Sequence, residues 1–241
     1  MLGGTVNVYI IWYGNWNQSN GSDNPAGQQL VRTFLSNVGN SPYFNINTTY
    51  AGVTGNVTFK NETTDTGSQG SRLSDSRVQA IVSSAISTGK LPVDTNGLYF
   101  VLTSTNVSES SGFCTRYCGW HTRGTIAGSD IKYSFVGNAT RCLNGCSAQT
   151  ISPNGNPGVD AMISVIAHEL EEATTDPDLN AWFDSSGAEN ADKCAWTFGS
   201  AQNLLPSGAY YNMTIGGLNF LIQRNLDASN NKCYVSLKGQ Q

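Results

Sequence analysis

The chain has 241 residues, of which 39% are hydrophobic and 12% are charged, about half of the usual charged share near 25%. This much apolar material excludes a disordered chain, and the net charge of −4 argues against a protein that binds nucleic acid or a membrane surface. No apolar run approaches the roughly 18 residues of a membrane-spanning helix. We therefore expect a soluble monomer with a single domain over residues 1–241.

Strands and helices alternate through the first two thirds of the chain. The β-branched and aromatic run Val6–Trp12 predicts a buried strand, and the apolar spacing of Gln28–Val38 predicts a helix. Ser74 or Asp75 caps a second predicted helix, which Gly89 stops. Further strands are expected at 46–50, 57–60, 98–102 and 131–136, the last at a sheet edge, and in the tail at 219–223 and 232–237. This order predicts an α/β (α+β) fold with a mixed twisted sheet and an irregular, disulfide-held C-terminal part.

The polar composition indicates secretion. Eight acceptor triplets for N-glycosylation predict a secreted eukaryotic glycoprotein whose sugars keep a weakly charged surface soluble; the alternative is an Asn-rich composition with few occupied sites. The triplets begin at Asn17, Asn20, Asn47, Asn56, Asn61, Asn106, Asn138 and Asn212. The first residues lack the charged and hydrophobic segments of a secretion signal. We interpret Met1 as an introduced start, or the chain as a mature form whose targeting segment was removed.

The six cysteines fall into three pairs along the sequence. An even count in an extracellular protein predicts three disulfides, and we expect sequential pairing, with two short loops and one long clamp on the C-terminal segment. The expected pairs are Cys114–Cys118, Cys142–Cys146 and Cys194–Cys233. A cysteine-rich zinc site is the alternative, against which the lack of histidine at zinc-finger spacing counts.

The clearest chemistry lies on a helix predicted from Pro157 to about Asp176. On this helix His168 and Glu172 lie one turn apart on one face, where each can give one ligand to a zinc ion. Glu169 follows the first ligand, where metalloproteases place the general base that takes a proton from metal-activated water. The string resembles the zincin signature with its second histidine replaced by glutamate, which implies a zincin-like domain with this segment as its active-site helix.

The alternative is a solvated acidic helix, in which Glu171 and Glu172 only cover the surface. Three features favour the metal site. His168 is one of two histidines in the chain, and the helix follows several strands, as the zincin order requires. Eight of the 17 acidic residues also fall within residues 169–192, namely Glu169, Glu171, Glu172, Asp176, Asp178, Asp184, Glu189 and Asp192.

A third zinc ligand must come from the acidic stretch that follows the helix. We expect Glu189, then Asp192 and Asp176, because Glu189 and Asp192 lie about where Glu-type zincins take their third ligand. Asp178 is placed where a short-loop zincin would supply one, and Asp176 could instead orient His168 from behind. The alternatives for this stretch are ordinary Asx turns or a calcium-type oxygen site, so calcium is a candidate second, structural ion.

For His121 and for a trio of aromatic residues the sequence leaves several roles open. His121 could line the cleft, donate a proton to the oxyanion of the reaction, or be a structural histidine, and we place it with Glu169 among the candidate catalytic residues. Trp12, Tyr13 and Trp16 could stack on the sugar rings of a cell-wall glycan, although their place at a strand end favours core or cleft lining.

Several strings resemble the Exordium, or phosphate-induced protein, family of secreted proteins. They are Ile11–Trp16, Phe113–His121, Phe135–Asn138 with the following Cys142 and Cys146, and Ser152–Asp160. The resemblance implies an extracellular or cell-wall location and, in plants, a link to growth. Plant members lack the His-Glu pair and the following Glu. The resemblance therefore groups this chain with microbial members, since it has His168, Glu169 and Glu172.

These observations predict a secreted zinc metallohydrolase, a peptidase that acts on protein or peptide substrates with Glu169 as general base. The alternative is a non-catalytic extracellular or cell-wall protein that binds a glycan or a protein and holds a structural metal. A glycosidase is a third option, because two carboxylates can cleave a glycosidic bond, but the sequence fixes no suitable pair.

Overall fold

A five-stranded mixed sheet organises the molecule, and the computed structural model describes residues 1–237. Its strands are β1 (Gly4–Tyr13), β2 (Val53–Asp65), β3 (Gly97–Thr103), β4 (Gly119–Ile126) and β5 (Ser129–Gly137). They lie in the order β2-β1-β3-β5-β4, and all neighbours are parallel except the antiparallel pair β4 and β5. The prediction of an α/β fold with a mixed sheet is confirmed.

Three helices cover the two faces of the sheet. They are α1 (Pro25–Asn37), α2 (Asp75–Ser87) and α3 (Pro157–Thr175). Side chains of β1 alternate between two apolar cores: Val8 and Ile10 pack with residues of α1 and α3, whereas Tyr9 and Ile11 pack with residues of α2. The sheet therefore separates α3, which carries the candidate motif, from α2.

Shorter elements complete the described chain. Two-residue and three-residue strands pair as Arg72–Leu73 with Ser108–Glu109, Asn203–Leu204 with Tyr210–Tyr211, Met213–Ile215 with Leu218–Phe220, and Asn225–Asp227 with Lys232–Tyr234. Turns of 3₁₀-helix lie at Phe44–Thr49, Ala139–Cys142 and Asp192–Cys194, and a four-residue helix lies at Leu143–Cys146.

Two details of the predicted strands are wrong. Residues 46–50 fall largely in a 3₁₀-helix, because the hydroxyls of Thr48 and Thr49 donate to the carbonyls of Asn45 and Ile46 and close tight local turns. The strand predicted for the sheet edge, β5, lies inside the sheet between β3 and β4. The strand at this edge of the sheet is β4. Its polar sequence, Gly-Trp-His-Thr-Arg-Gly-Thr-Ile, gave no clear indication of a strand.

The disulfide Cys194–Cys233 is confirmed, but the other two pairings are wrong. The structure joins Cys114 to Cys142 and Cys118 to Cys146. The antiparallel pairing of β4 and β5 explains the exchange, because it brings the loop before β4 beside the segment that follows β5. Three disulfides are consistent with an extracellular protein. Within residues 1–237, no helix combines the length and apolar character that crossing a membrane requires.

Some residues that were candidates for contact with sugars are buried in the structure. Trp12, Tyr13 and Trp16 are buried in the core, so this trio presents no ring face to a sugar. Asn47 and Asn138 are also buried, and the Asn138 amide donates hydrogen bonds to neighbouring side chains. These two glycosylation triplets therefore have no room for a sugar in the folded protein.

Candidate functional site

Helix α3 carries the motif into the interior of the protein. The apolar side chains along one face of the helix are fully buried, namely Val159, Met162, Ile163, Ile166 and Leu170. The acidic face is buried as well, with Glu171 0% and Glu172 4% exposed. The alternative of a solvated acidic helix is therefore wrong. Because a buried carboxylate is costly unless it is paired or hydrogen-bonded, the partners of these side chains matter.

The first group of partners joins α3 to the loop that follows it. His168 Nε2 lies 3.0 Å from Glu172 Oε1, as expected for side chains one helical turn apart. The backbone N–H of Asp192 donates to the same Glu172 oxygen at 2.9 Å, and Asp192 Oδ1 lies 3.4 Å from His168 Nε2. His168, Glu172 and Asp192 thus form one triad of potential metal ligands.

The second group comes from the edge strand β4, which contributes His121. His121 Nε2 lies 3.1 Å from both carboxylate oxygens of Glu189 and 3.9 Å from Glu172 Oε2. His121, Glu172 and Glu189 form a second triad, and Glu172 belongs to both. The two oxygens of Glu172 therefore face different histidines.

The loop that supplies Glu189 and Asp192 is held by its own polar residues. Asp184 Oδ1 accepts hydrogen bonds from the backbone N–H groups of Ser186 and Ala188, and Asp184 Oδ2 lies 2.7 Å from Lys193 Nζ. The disulfide from Cys194 to the last strand anchors the end of the loop. These contacts order the loop and tie it to the C-terminal segment, and the backbone N–H of Asp192 joins it to Glu172 of α3.

The donor set suits a zinc ion. In each triad the donor atoms lie within 4.8 Å of one another, and a tetrahedral zinc site places its donors roughly 3.3 Å apart, given ligand distances of about 2.0–2.2 Å. The Nδ1 atoms of His121 and His168 are buried without a partner among residues 1–237, so both rings direct Nε2 into the cluster. No described lysine or arginine forms an ion pair with Glu172, Glu189 or Asp192.

Glu169 faces the same cleft, a cavity of about 310 Å³ lined by both triads. Its carboxylate is buried, and no hydrogen bond joins it to another residue in the part of the chain that the structure describes. Burial raises the pKa of Glu169 to about 8, and the negative charge of Glu172 acts in the same direction. A general base works best when its pKa is near the operating pH, so this carboxylate suits proton transfer at neutral pH.

The acidic surroundings favour protonated imidazoles in the metal-free protein. Burial opposes the charged form of His121, but the hydrogen bond and charge of Glu189 prevail and raise its pKa to about 9. For His168, burial is likewise outweighed, chiefly by the charge of Glu172 and the hydrogen bond to Asp192, and its pKa lies well above the ordinary value of 6.5. A metal ion must displace these protons, so its binding is expected to weaken as the pH falls.

We expect the metal-free protein to lose stability as the pH rises from about 6.5 to 9. In this range the folded chain binds more protons than the unfolded chain, because the pKa of His121 is raised from 6.5 to about 9 and that of Glu169 from 4.5 to about 8. The stabilisation by the His121 proton is thus complete below about 6.5 and is lost through about 9. Thermal unfolding in chelator across this pH series measures the effect. A midpoint that is constant or rises with pH would contradict it, and His121→Gln should flatten the slope.

Two of the predicted acidic residues lie outside both triads. Asp176 ends α3, where its Oδ1 accepts hydrogen bonds from the backbone N–H groups of Asn180 and Ala181. Asp178 lies 3.3 Å from Lys132 in an ion pair. The structure therefore brings together His168, Glu172, Glu189 and Asp192 of the predicted ligands, with Glu169 beside them.

Glu171 belongs to a separate buried polar cluster. Its carboxylate accepts a hydrogen bond from Asn225, and Asn225 and Asn190 both donate to Asn47. Burial raises the pKa of Glu171 well above its ordinary value. The cluster ties α3 to the C-terminal segment.

The sequence did not identify His121 as a potential ligand, although it placed His121 among the candidate catalytic residues. Only the sheet topology brings β4 beside α3, because His121 lies far before His168 in the sequence. The sequence offered one clue to His121 as a ligand: His121 and His168 are the only histidines in the chain.

A mixed α/β fold with three disulfides and a cleft of clustered histidines and carboxylates defines the structural class of this protein. The chain belongs to the phosphate-induced protein 1 family, because the model of that family's conserved region matches residues 1–236. The resemblance to the Exordium and phosphate-induced proteins is confirmed.

Relatives in two plants support this assignment. The chain is 31% identical to "Protein EXORDIUM-like 5" of Arabidopsis thaliana over 231 residues, which cover 81% of this chain and 61% of that relative. It is 30% identical to "Protein EXORDIUM-like 3" of the same plant, with coverage of 92% and 77%. The tobacco (Nicotiana tabacum) "Protein PHOSPHATE-INDUCED 1" is 28% identical, with coverage of 57% and 54%. The chain thus spans about three fifths of EXORDIUM-like 5. No solved structure gives a significant match.

Proposed function

We propose that this chain is a secreted zinc-dependent hydrolase of the zincin type that cleaves peptide bonds. The observation that carries the proposal is that potential metal ligands from three parts of the chain meet in one cleft. They are His168 and Glu172 from α3, His121 from β4, and Glu189 and Asp192 from the loop after α3. The same cleft contains Glu169. The antiparallel edge strand beside the motif helix agrees with the order that a zincin requires.

In this proposal the protein side chains divide into ligands and a base. Glu172 would hold the ion together with His168 and Asp192, or together with His121 and Glu189. A bound zinc ion supplies Lewis acidity, which polarises a substrate carbonyl and makes a coordinated water more acidic.

Glu169 would then perform the proton transfers. Its carboxylate is free of hydrogen bonds and lies in the cleft, so it can accept a proton from the attacking water and pass it to the leaving amine. The His121 imidazole, which Glu189 holds at 3.1 Å, would line the edge of the cleft when it is not a metal ligand.

The cavity favours a catalytic ion over a purely structural one. Structural zinc sites are closed by protein ligands, whereas catalytic sites keep one position open to substrate. Both triads here border a cavity of about 310 Å³. The three disulfides support action outside the cell, and we extend this to the cell wall on the basis of the family.

A peptide-cleavage assay tests the proposal. The purified protein is incubated with a mixed peptide library, and fragments are identified by mass spectrometry before chelation, after chelation and after zinc is restored. We expect cleavage that chelation abolishes and zinc restores. Fragments that persist in chelator, or that an equally purified His168→Ala variant also yields, would show that another enzyme or mechanism is responsible. A zinc-loaded protein that cleaves nothing would favour the non-catalytic alternative.

A further inference from the structure

A second cavity, of about 510 Å³, lies beside the metal cleft. Three aromatic rings line it, from Trp196, Phe198 and Tyr210, together with the amide side chains of Asn144, Gln149 and Gln202. Trp196 also lines the metal cleft, so the two cavities share a wall. No charged residue lines this second cavity within residues 1–237.

The two outer rings are unusually exposed for their size. Trp196 is 43% and Tyr210 is 46% exposed, whereas large aromatic side chains are usually mostly buried. Trp196 also adopts a φ of 57°, in the left-handed region that bulky residues rarely occupy. Such strain persists only where the surrounding structure holds it, and it is concentrated at functional sites.

Specific hydrogen bonds hold the backbone that carries both rings. The backbone N–H of Trp196 donates to Gln223 Oε1 at 2.7 Å. The side-chain amide of Gln149 both donates to the Tyr210 carbonyl and accepts from the Tyr210 N–H, each at 2.8 Å. The backbone at both positions is therefore ordered before any ligand binds, which lowers the entropy cost of binding.

We propose that this cavity binds a sugar ring of a polysaccharide. A pyranose has C–H faces that pack on aromatic rings and hydroxyls that pair with amide donors and acceptors, and the lining offers both. An aliphatic side chain would leave the Asn144 amide unpaired, and an ionic ligand would find no opposite charge. Asn144, which is exposed and makes no hydrogen bond to the described residues, is free to pair with a hydroxyl.

Sugar binding at this site needs no metal, although Trp196 lines both cavities. One consequence alone rests on the proposed hydrolase: the peptide that is cleaved in the metal cleft would be attached to the glycan whose sugar occupies this second cavity.

Depletion of the protein by insoluble cellulose, chitin and β-1,3-glucan tests this site, followed by titration with the hexasaccharide of the polymer that binds. We expect wild type to bind one of them, and Trp196→Gly and Tyr210→Ala to weaken binding about tenfold or more each, as the loss of an aromatic contact predicts. Glycine accepts the φ of position 196. Asn144→Ala, which removes only an exposed amide, should weaken binding without affecting the fold.

Two control variants distinguish binding at the sugar site from non-specific adsorption and from effects of the metal centre. Phe183 is 50% exposed but lines neither cavity, so Phe183→Ala should bind as wild type. His168→Ala should also bind, because the sugar site needs no metal. The proposal is overturned if none of the three polymers binds, if the folded Trp196, Tyr210 and Asn144 variants bind as wild type, or if apolar peptides and not the hexasaccharide compete for the cavity.

Discussion

Replacement of Glu169 by glutamine is expected to abolish peptide cleavage while zinc remains bound. Glutamine keeps the size of the side chain but cannot accept a proton, and removal of a general base costs about 10²–10⁴-fold in rate. The Glu169 carboxylate makes no hydrogen bond to the described residues, so the change breaks no structural contact. Turnover of a fluorogenic peptide and zinc content, measured on the same preparation, check this result.

Asp178→Asn provides the matched control for this variant. Asp178 belongs to the same acidic stretch but pairs with Lys132 outside the cleft. Loss of a partly exposed ion pair costs only about 0–1 kcal/mol of stability, so activity should persist. If Glu169→Gln keeps full activity, Glu169 is not the base; if it loses its zinc, the side chain is a ligand.

Replacement of Glu172 by glutamine is expected to weaken zinc binding more than any other single change in the cluster. Glu172 belongs to both triads, so its loss removes a ligand whichever triad holds the ion. Even residues that only orient a ligand contribute about 10–100-fold to metal affinity, and we expect a loss above about 100-fold here. Titration calorimetry of the metal-free protein with zinc measures this affinity.

The neighbouring Glu171→Gln is a stringent control for Glu172→Gln. Both residues are buried on α3, but Glu171 is hydrogen-bonded in the separate Asn225 cluster. Its amide variant should bind zinc as wild type does. Comparison of Glu189→Gln with Asp192→Asn then identifies the triad, because only the ligand should show the larger loss. Wild-type affinity in Glu172→Gln would refute both triads.

Local signals were sufficient to predict the element that carries the motif. Asn156 caps α3 by accepting from the Val159 N–H, Pro157 occupies its first turn, and the helix ends before Pro177. The i,i+4 spacing of His168 and Glu172 likewise follows from helix geometry alone. These features depend only on nearby residues, so one sequence reveals them.

Long-range features could not be read in the same way. The two crossed disulfides and the approach of His121 both depend on the β4–β5 hairpin and on its place beside β3, and it is this place in the sheet that no local pattern encodes. The sequence left a solvated acidic helix open as the alternative, yet Glu171 and Glu172 are buried. Their burial depends on the C-terminal segment that packs against α3, for example through Asn225.

Elemental analysis of protein purified without chelator tests the central claim most directly. The cluster of two histidines and three carboxylates predicts about one zinc ion per chain, bound through nitrogen and oxygen only. The same preparation of Glu172→Gln should contain none. A folded wild-type protein that carries no stoichiometric divalent metal, and whose unfolding temperature zinc does not change, would contradict the account.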